Sequence, residues 1–213
     1  MMDIGQLFAR LQPKTVNYMG SGGGIPVLTP DDIAGAMAFV PKGLGRAVLE
    51  AVYWPDTACR THDLRNAVIG LVMPELKRQA TQLNEAIFDV QLAHAALYWT
   101  RTNASDRQRQ AIDQAQARLE LLRGKSWPKN TVERLPRMTN AIVAEIGVRS
   151  PCSASRENGV LSDRQRAQAI GCDASDYIKR WKMVYEWLSY QLWSACCQAA
   201  NRLRSSLERD VAA

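Results

Sequence analysis

Tyr177, Trp181, Val184, Leu188, Leu192, Ala195, Ala199 and Leu203 recur at intervals of three or four residues, forming one apolar stripe along roughly nine helical turns. A stripe of that length has to be covered by other helices, so it sets the architecture of everything around it. Asp173 is placed to cap the helix that carries it. A shorter helix stands in front, opening at Ser162, whose hydroxyl can hold an unpaired backbone N–H of the first turn. Gln165 completes the capping-box spacing. The short helix runs through Ala167 and Ala169 and stops at Ile170-Gly171-Cys172, where Gly171 can take the left-handed conformation that a tight turn between helices requires.

A short helix, a glycine turn and a second helix bearing cations is the organisation of a helix-turn-helix, whose second helix enters the major groove of DNA. Ala167 and Gly171 stand four apart: the small residue lets the helices cross closely and the glycine permits the turn. The apolar anchors of the second helix are read at Ile178 and Trp181, one position later than the usual spacing, which calls for a slightly longer turn. The DNA-contact candidates are Arg164, Arg166, Ser175, Lys179, Arg180 and Lys182. Ser175 and Asp176 lie at the groove-facing start of the second helix, whereas the arginines and lysines suit phosphates, which position a protein without reading sequence. An ordinary helical hairpin with a solvated basic face fits the same pattern.

Charge agrees with an anionic partner without demanding one. The 213 residues hold 27 Lys and Arg against 21 Asp and Glu, a net charge of +6. Between Arg149 and Arg209 ten cations face six carboxylates, so much of the excess lies in the segment with the helix-turn-helix pattern. With 46% hydrophobic and 23% charged residues the composition is that of a globular protein and not of a disordered one. The five cysteines, Cys59, Cys152, Cys172, Cys196 and Cys197, are odd in number and irregularly spaced, which argues against a disulfide framework and for a reducing cytoplasm. Adjacent Cys196 and Cys197 read as small apolar fillers on different faces of a helix. No run approaches the ~18 apolar residues of a membrane span, and the N-terminal stretch has no long apolar core.

The remaining chain reads as helices joined by Pro and Gly punctuation. A short helix around Ile4 to Leu11 is followed by Gly20-Ser21-Gly22-Gly23-Gly24, a linker and not a phosphate loop, since no Lys-Ser or Lys-Thr follows it. Thr29-Pro30 opens a helix with Ile33, Met37 and Val40 on its apolar face, and Pro41-Lys42-Gly43 ends it. Leu44 to Tyr53 forms the next, and Trp54-Pro55-Asp56 a loop. His62 to Thr100 is a long helical region with a kink or break at Met73-Pro74. Asn103 to Asp106 caps a helix over Arg107 to Arg123, whose face of Ile112, Ala115, Leu119 and Leu122 is narrow. Arg123, Lys125, Lys129, Arg134 and Arg137 surround Trp127 in what reads as a solvated connector with one packed tryptophan; a nucleic-acid backbone site is the other reading. Met138 to Val148 is a short helix and Ser150 to Gly159 a polar loop. With no period-two strand runs, the expected fold is all-α: an irregular multi-helix bundle with a C-terminal helix-turn-helix and a long amphipathic helix. Three stretches are expected, an arm and linker over 1–27, a helical body over 28–148, and the helix-turn-helix with the long helix over 149–213.

Catalytic and metal patterns are weak. Cys59 and His62 have ligand-type spacing but no second pair to complete a zinc site, and His94 stands alone. Glu85 and Asp89 form an i, i+4 carboxylate pair, and no Ser, His and Asp set is marked by its context. The expectation is a protein that is not an enzyme and uses no metal and no cofactor.

The segment LTPDDIAGAMAFVPKGLGRAVLEAV, Leu28 to Val52, resembles the N-terminal helices of lambda-type Q proteins, the late-gene transcription antiterminators of lambdoid phages. There too an aspartate starts an Ala-Met-rich helix and a Gly-x-Gly-like turn leads to an Ala-rich one. VYEWLSYQLWSACCQAANRLRSSL, Val184 to Leu207, is similar to the last helix of that family, with Tyr185, Leu188, Cys196 or Cys197, Ala199 and Leu203 in like places. Several Q proteins carry paired Cys-x-x-Cys zinc knuckles before the C-terminal helices, whereas this chain has only Cys152 there, so zinc is not carried over. The resemblance implies a phage or prophage protein that binds double-stranded DNA at a late promoter and loads onto sigma-bound bacterial RNA polymerase. The polymerase then reads through pauses and terminators. A simple helix-turn-helix regulator or phage packaging subunit without polymerase contact, and a helical protein-interaction module, are the other readings. The long last helix leaves self-association open.

Overall fold

The computed structural model describes residues 30–53, 58–99, 106–149 and 161–212. These are helical almost throughout, with no strand among them, so the fold is all-α. In chain order the helices are α1 (Pro30–Ala38), α2 (Leu44–Tyr53), α3 (Ala58–Trp99), α4 (Asp106–Lys125), α5 (Thr131–Arg149), α6 (Asp163–Ile170) and α7 (Ala174–Asp176). A π-helical turn, Tyr177–Trp181, leads without interruption into α8 (Lys182–Ala212). The arm and glycine-rich linker expected over 1–27, the Trp54-Pro55-Asp56 loop and the polar loop at 150–159 lie outside the described residues.

The chain divides into two compact units, one formed by residues up to Val68 together with those from Glu133 onward, the other by Ile69–Val132. The sequence reading instead cut the chain into consecutive stretches. The difference arises because α2 and α1 pack on α8, so N-terminal helices share a core with the C-terminal ones.

In the first unit the apolar stripe is buried: Tyr177, Trp181, Val184, Leu188, Leu192, Ala199 and Leu203 all lie in the core, with Tyr185, Cys196 and Leu207 beside them. Val48 and Leu49 of α2, Met37 of α1 and Val40 just after it supply the cover from the N-terminal side. Contact between α2 and α8 is close because both present small residues. A Cβ on Gly45 would lie 2.5 Å from the Ala195 carbonyl oxygen and 3.1 Å from Ala199 Cβ. Gly45→Ala should therefore be destabilising, since overpacking of about 1–3 kcal/mol against an immovable backbone atom outweighs the roughly 1 kcal/mol that alanine gains in helix propensity. A urea melt checks this, and a variant as stable as the parent would refute the close crossing.

The second unit comprises the rest of α3 with α4 and the segment after it. Val72, Ala86, Ile112, Leu119 and Trp127 are buried, and the Trp127 backbone N–H donates to Gln79 Oε1 at 3.0 Å. An ion pair joins Arg118 to Asp89 across the two helices at 2.7 Å.

Of the kink or break expected at Met73-Pro74, the break is absent: α3 continues through Pro74, which loses one backbone bond, and the residue four before it, where the ring crowds the helix, is Gly70. Likewise α5 begins at Thr131 and runs through Pro136, so the connector read between Arg123 and Arg137 shrinks to the residues between Lys125 and Thr131. Thr131 anchors the new start, fully buried with its hydroxyl donated to the Pro128 carbonyl at 2.5 Å. Among the described residues no helix is long and apolar enough to cross a membrane.

Candidate nucleic-acid interface

The helix pair around Gly171 is built by local hydrogen bonds. Ser162 caps α6 in a reciprocal box: the Gln165 N–H donates to Ser162 Oγ at 3.3 Å and the Ser162 N–H donates to Gln165 Oε1 at 2.8 Å. At the other end Gly171 is left-handed, φ 76° and ψ 43°. Its N–H reaches the Gln168 carbonyl, and the Cys172 N–H reaches the Ala167 carbonyl at 3.0 Å, the Schellman closure of a helix. Asp173 then caps the second helix by accepting the Asp176 N–H at 2.8 Å.

Side chains from α5 lock this turn in place. Arg134 donates through Nη1 to the carbonyls of both Ile170 and Gly171 at 2.9 Å, and its guanidinium lies 4.9 Å above the Trp181 ring. It thus satisfies carbonyls left open at the end of α6. A side chain at Gly171 would meet the Arg137 guanidinium as well as the left-handed backbone. Gly171→Ala should cost about 1–2 kcal/mol from the backbone alone, the mobile arginine yielding. Chemical denaturation measures it, and an unchanged midpoint would contradict the left-handed turn.

Beneath the pair lies a buried ionic group. Glu145 of α5, 1% exposed, accepts Arg166 Nε at 2.9 Å and Nη2 at 3.0 Å, and also accepts the Tyr185 hydroxyl at 2.8 Å. The Arg166 guanidinium stands 5.1 Å over the Tyr185 ring, and the Tyr177 and Tyr185 rings meet edge to face. Hydrogen bonding to Glu145 raises the Arg166 pKa against the opposing effect of burial. Burial pushes the Tyr177 hydroxyl up to about 12, with Arg166 opposing, and pushes Tyr185 higher still, there reinforced by the bond to Glu145. At the rim Lys182 Nζ meets Asp163 Oδ2 at 2.9 Å, which raises the lysine's pKa and ties the start of α8 to the start of α6.

The six candidate residues therefore separate. Arg166 is turned inward and held by Glu145, with its side chain 13% exposed. Lys182 is half engaged by Asp163. Arg180 is 71% exposed with a 3.3 Å pair to Asp176, whose other oxygen accepts the Trp181 indole N–H. Arg164, Ser175 and Lys179 are exposed, and neither Arg164 nor Lys179 makes an ion pair among the described residues.

The anchor reading needs correction. Tyr177 and Trp181 are the buried residues, and Ile178 is 57% exposed. The extra residue is absorbed within the helix, where the Lys182 N–H bonds to the Tyr177 carbonyl five residues back, and no longer turn is formed. Three consecutive residues, Ile178, Lys179 and Arg180, consequently stand outside between two buried rings. Arg134, Arg137 and Glu145 were missed as parts of this site. Their partners lie 21 to 40 residues away, and nothing in the local pattern announces them.

Other marked residues remain apart from the site. The His62 ring lies 3.1 Å from the Asn66 side-chain amide, His94 lies 3.3 Å from that of Gln116, and the side chain of Cys59 is outside the described residues. Cys196 is buried, which pushes its thiol up to about 12, and Cys197 is partly buried. Among the described residues no group of three or more His, Cys, Asp and Glu is arranged to hold a metal. The chain matches no protein-family model, no curated protein and no solved structure.

Proposed function

We propose that this chain is a duplex-DNA-binding transcription factor of the late-gene antitermination kind. The observation that carries the DNA reading is the exposed face after the Gly171 turn, where Ser175, Lys179 and Arg180 point away from a core that fixes their helix through Trp181 and Tyr177. Cations on a rigid helix whose other face is locked suit a phosphate backbone, and a small hydroxyl near its start suits a base edge. Arg164 and Lys182 add phosphate contacts at the edge of this face, and Arg166 holds the frame. Delivery to sigma-bound RNA polymerase rests on the likeness of Leu28 to Val52 and Val184 to Leu207 to Q proteins. No turnover chemistry, metal or cofactor enters this reading.

The decisive test uses purified protein in two steps. A random duplex pool is first selected on the protein, and the selected sequence is then set within a sigma-dependent promoter upstream of two terminators. Transcription by purified bacterial polymerase should pass both terminators only when the protein is present. Selection without read-through would leave the simpler helix-turn-helix regulator, and failure of both steps would end the proposal.

A further inference from the structure

We propose that Ile178 reads a thymine methyl group in the major groove, making it a specificity-determining residue of the DNA site. This inference rests on the DNA-binding reading above. An exposed isoleucine alone is unremarkable, but its setting is not ordinary. Ser175, Ile178 and Lys179 are all exposed where the second helix begins, around the π turn that keeps Tyr177 and Trp181 inward. Neighbouring Tyr177 and Trp181 are buried at 0% and 2%, so the face is held rigidly from behind.

The chemistry of that face is mixed in a way that fits the floor and walls of a major groove. A hydroxyl can pair with base edges, ammonium groups can reach phosphates on either side, and a branched aliphatic group between them has one apolar counterpart there, the C5-methyl of thymine. A protein-docking face built on apolar contact would gain from fewer charges at its centre. Lys179 directly follows Ile178 and makes no ion pair among the described residues, so a cation that could meet a polyanion stands beside it, while Arg180 next along is shared with Asp176.

The test uses the duplex selected on the parent protein, with each thymine replaced in turn by deoxyuridine, which removes the methyl and leaves the pairing edge intact. At one position the parent should bind the uridine duplex about three- to tenfold more weakly. Ile178→Ala should bind the thymine and uridine forms of that position equally. Lys179→Ala should instead weaken both forms alike. If Ile178→Ala keeps the parent's discrimination, or binds the selected duplex as tightly as the parent does, the inference is overturned; the latter is also the result expected of a residue reserved for a protein partner. If the parent selects no duplex at all, the DNA-binding reading itself fails and takes this one with it.

Discussion

Glu145→Ala is expected to lower stability by about 3–5 kcal/mol, the cost of leaving one partner of a buried pair without the other. The Arg166 side chain is only 13% exposed, so water replaces the carboxylate poorly, and the Tyr185 hydroxyl loses its acceptor in the same stroke. Urea denaturation should show the midpoint falling with little change in slope. The double variant Glu145→Leu/Arg166→Met removes both charges and should recover most of the loss, because the pair's net contribution is far smaller than the penalty for breaking it. A single variant within about 1 kcal/mol of the parent would mean that Glu145 is not the buried acceptor of Arg166. The same cluster predicts weakness in alkali. Tyr177 titrates near 10 when unfolded and at about 12 in the fold, so the folded state binds the proton more tightly. Its stability contribution is complete below pH 10 and is lost as pH rises from about 10 towards 12.

How far the sequence discloses this arrangement depends on how local each interaction is. Ser162 with Gln165, Gly171 with Ala167, and Asp173 with Asp176 are bonds between neighbours in the chain, and each was legible because capping and turn chemistry is written in residue types at fixed offsets. The α8 stripe was legible for the same reason, since burial repeats with the helical period. Ile178 was misread as an anchor because the helix-turn-helix spacing pairs it with Trp181 three residues on, whereas across the π turn the inward partner of Trp181 is Tyr177, four residues back. The start of α5 was hidden by Pro136, which punctuates most helices but costs only one bond near the beginning of this one. Arg166 reads as a free cation in isolation. Only the fold reveals that Glu145 has claimed it, because charge pairing across distant segments leaves no trace in spacing.

Lys179→Ala/Arg180→Ala should weaken duplex binding by roughly a hundredfold or more at moderate salt, each lost charged contact being worth about 1.5–3 kcal/mol. More diagnostic than the affinity is its salt dependence. If both cations neutralise phosphates, the slope of log affinity against log salt should become shallower by about two. Fluorescence anisotropy on one duplex across a salt series measures both quantities. The fold should be untouched, because Lys179 is exposed and the Arg180 pair with Asp176 is a surface contact of little energetic weight. Lys182→Ala should have the smaller effect of the lysine changes, since Asp163 already engages that ammonium and competes with any phosphate for it. An unchanged slope in the double variant, with affinity within twofold of the parent, would show that this face meets no nucleic-acid backbone. The helix pair would then be a rigid hairpin whose cations serve only solvation.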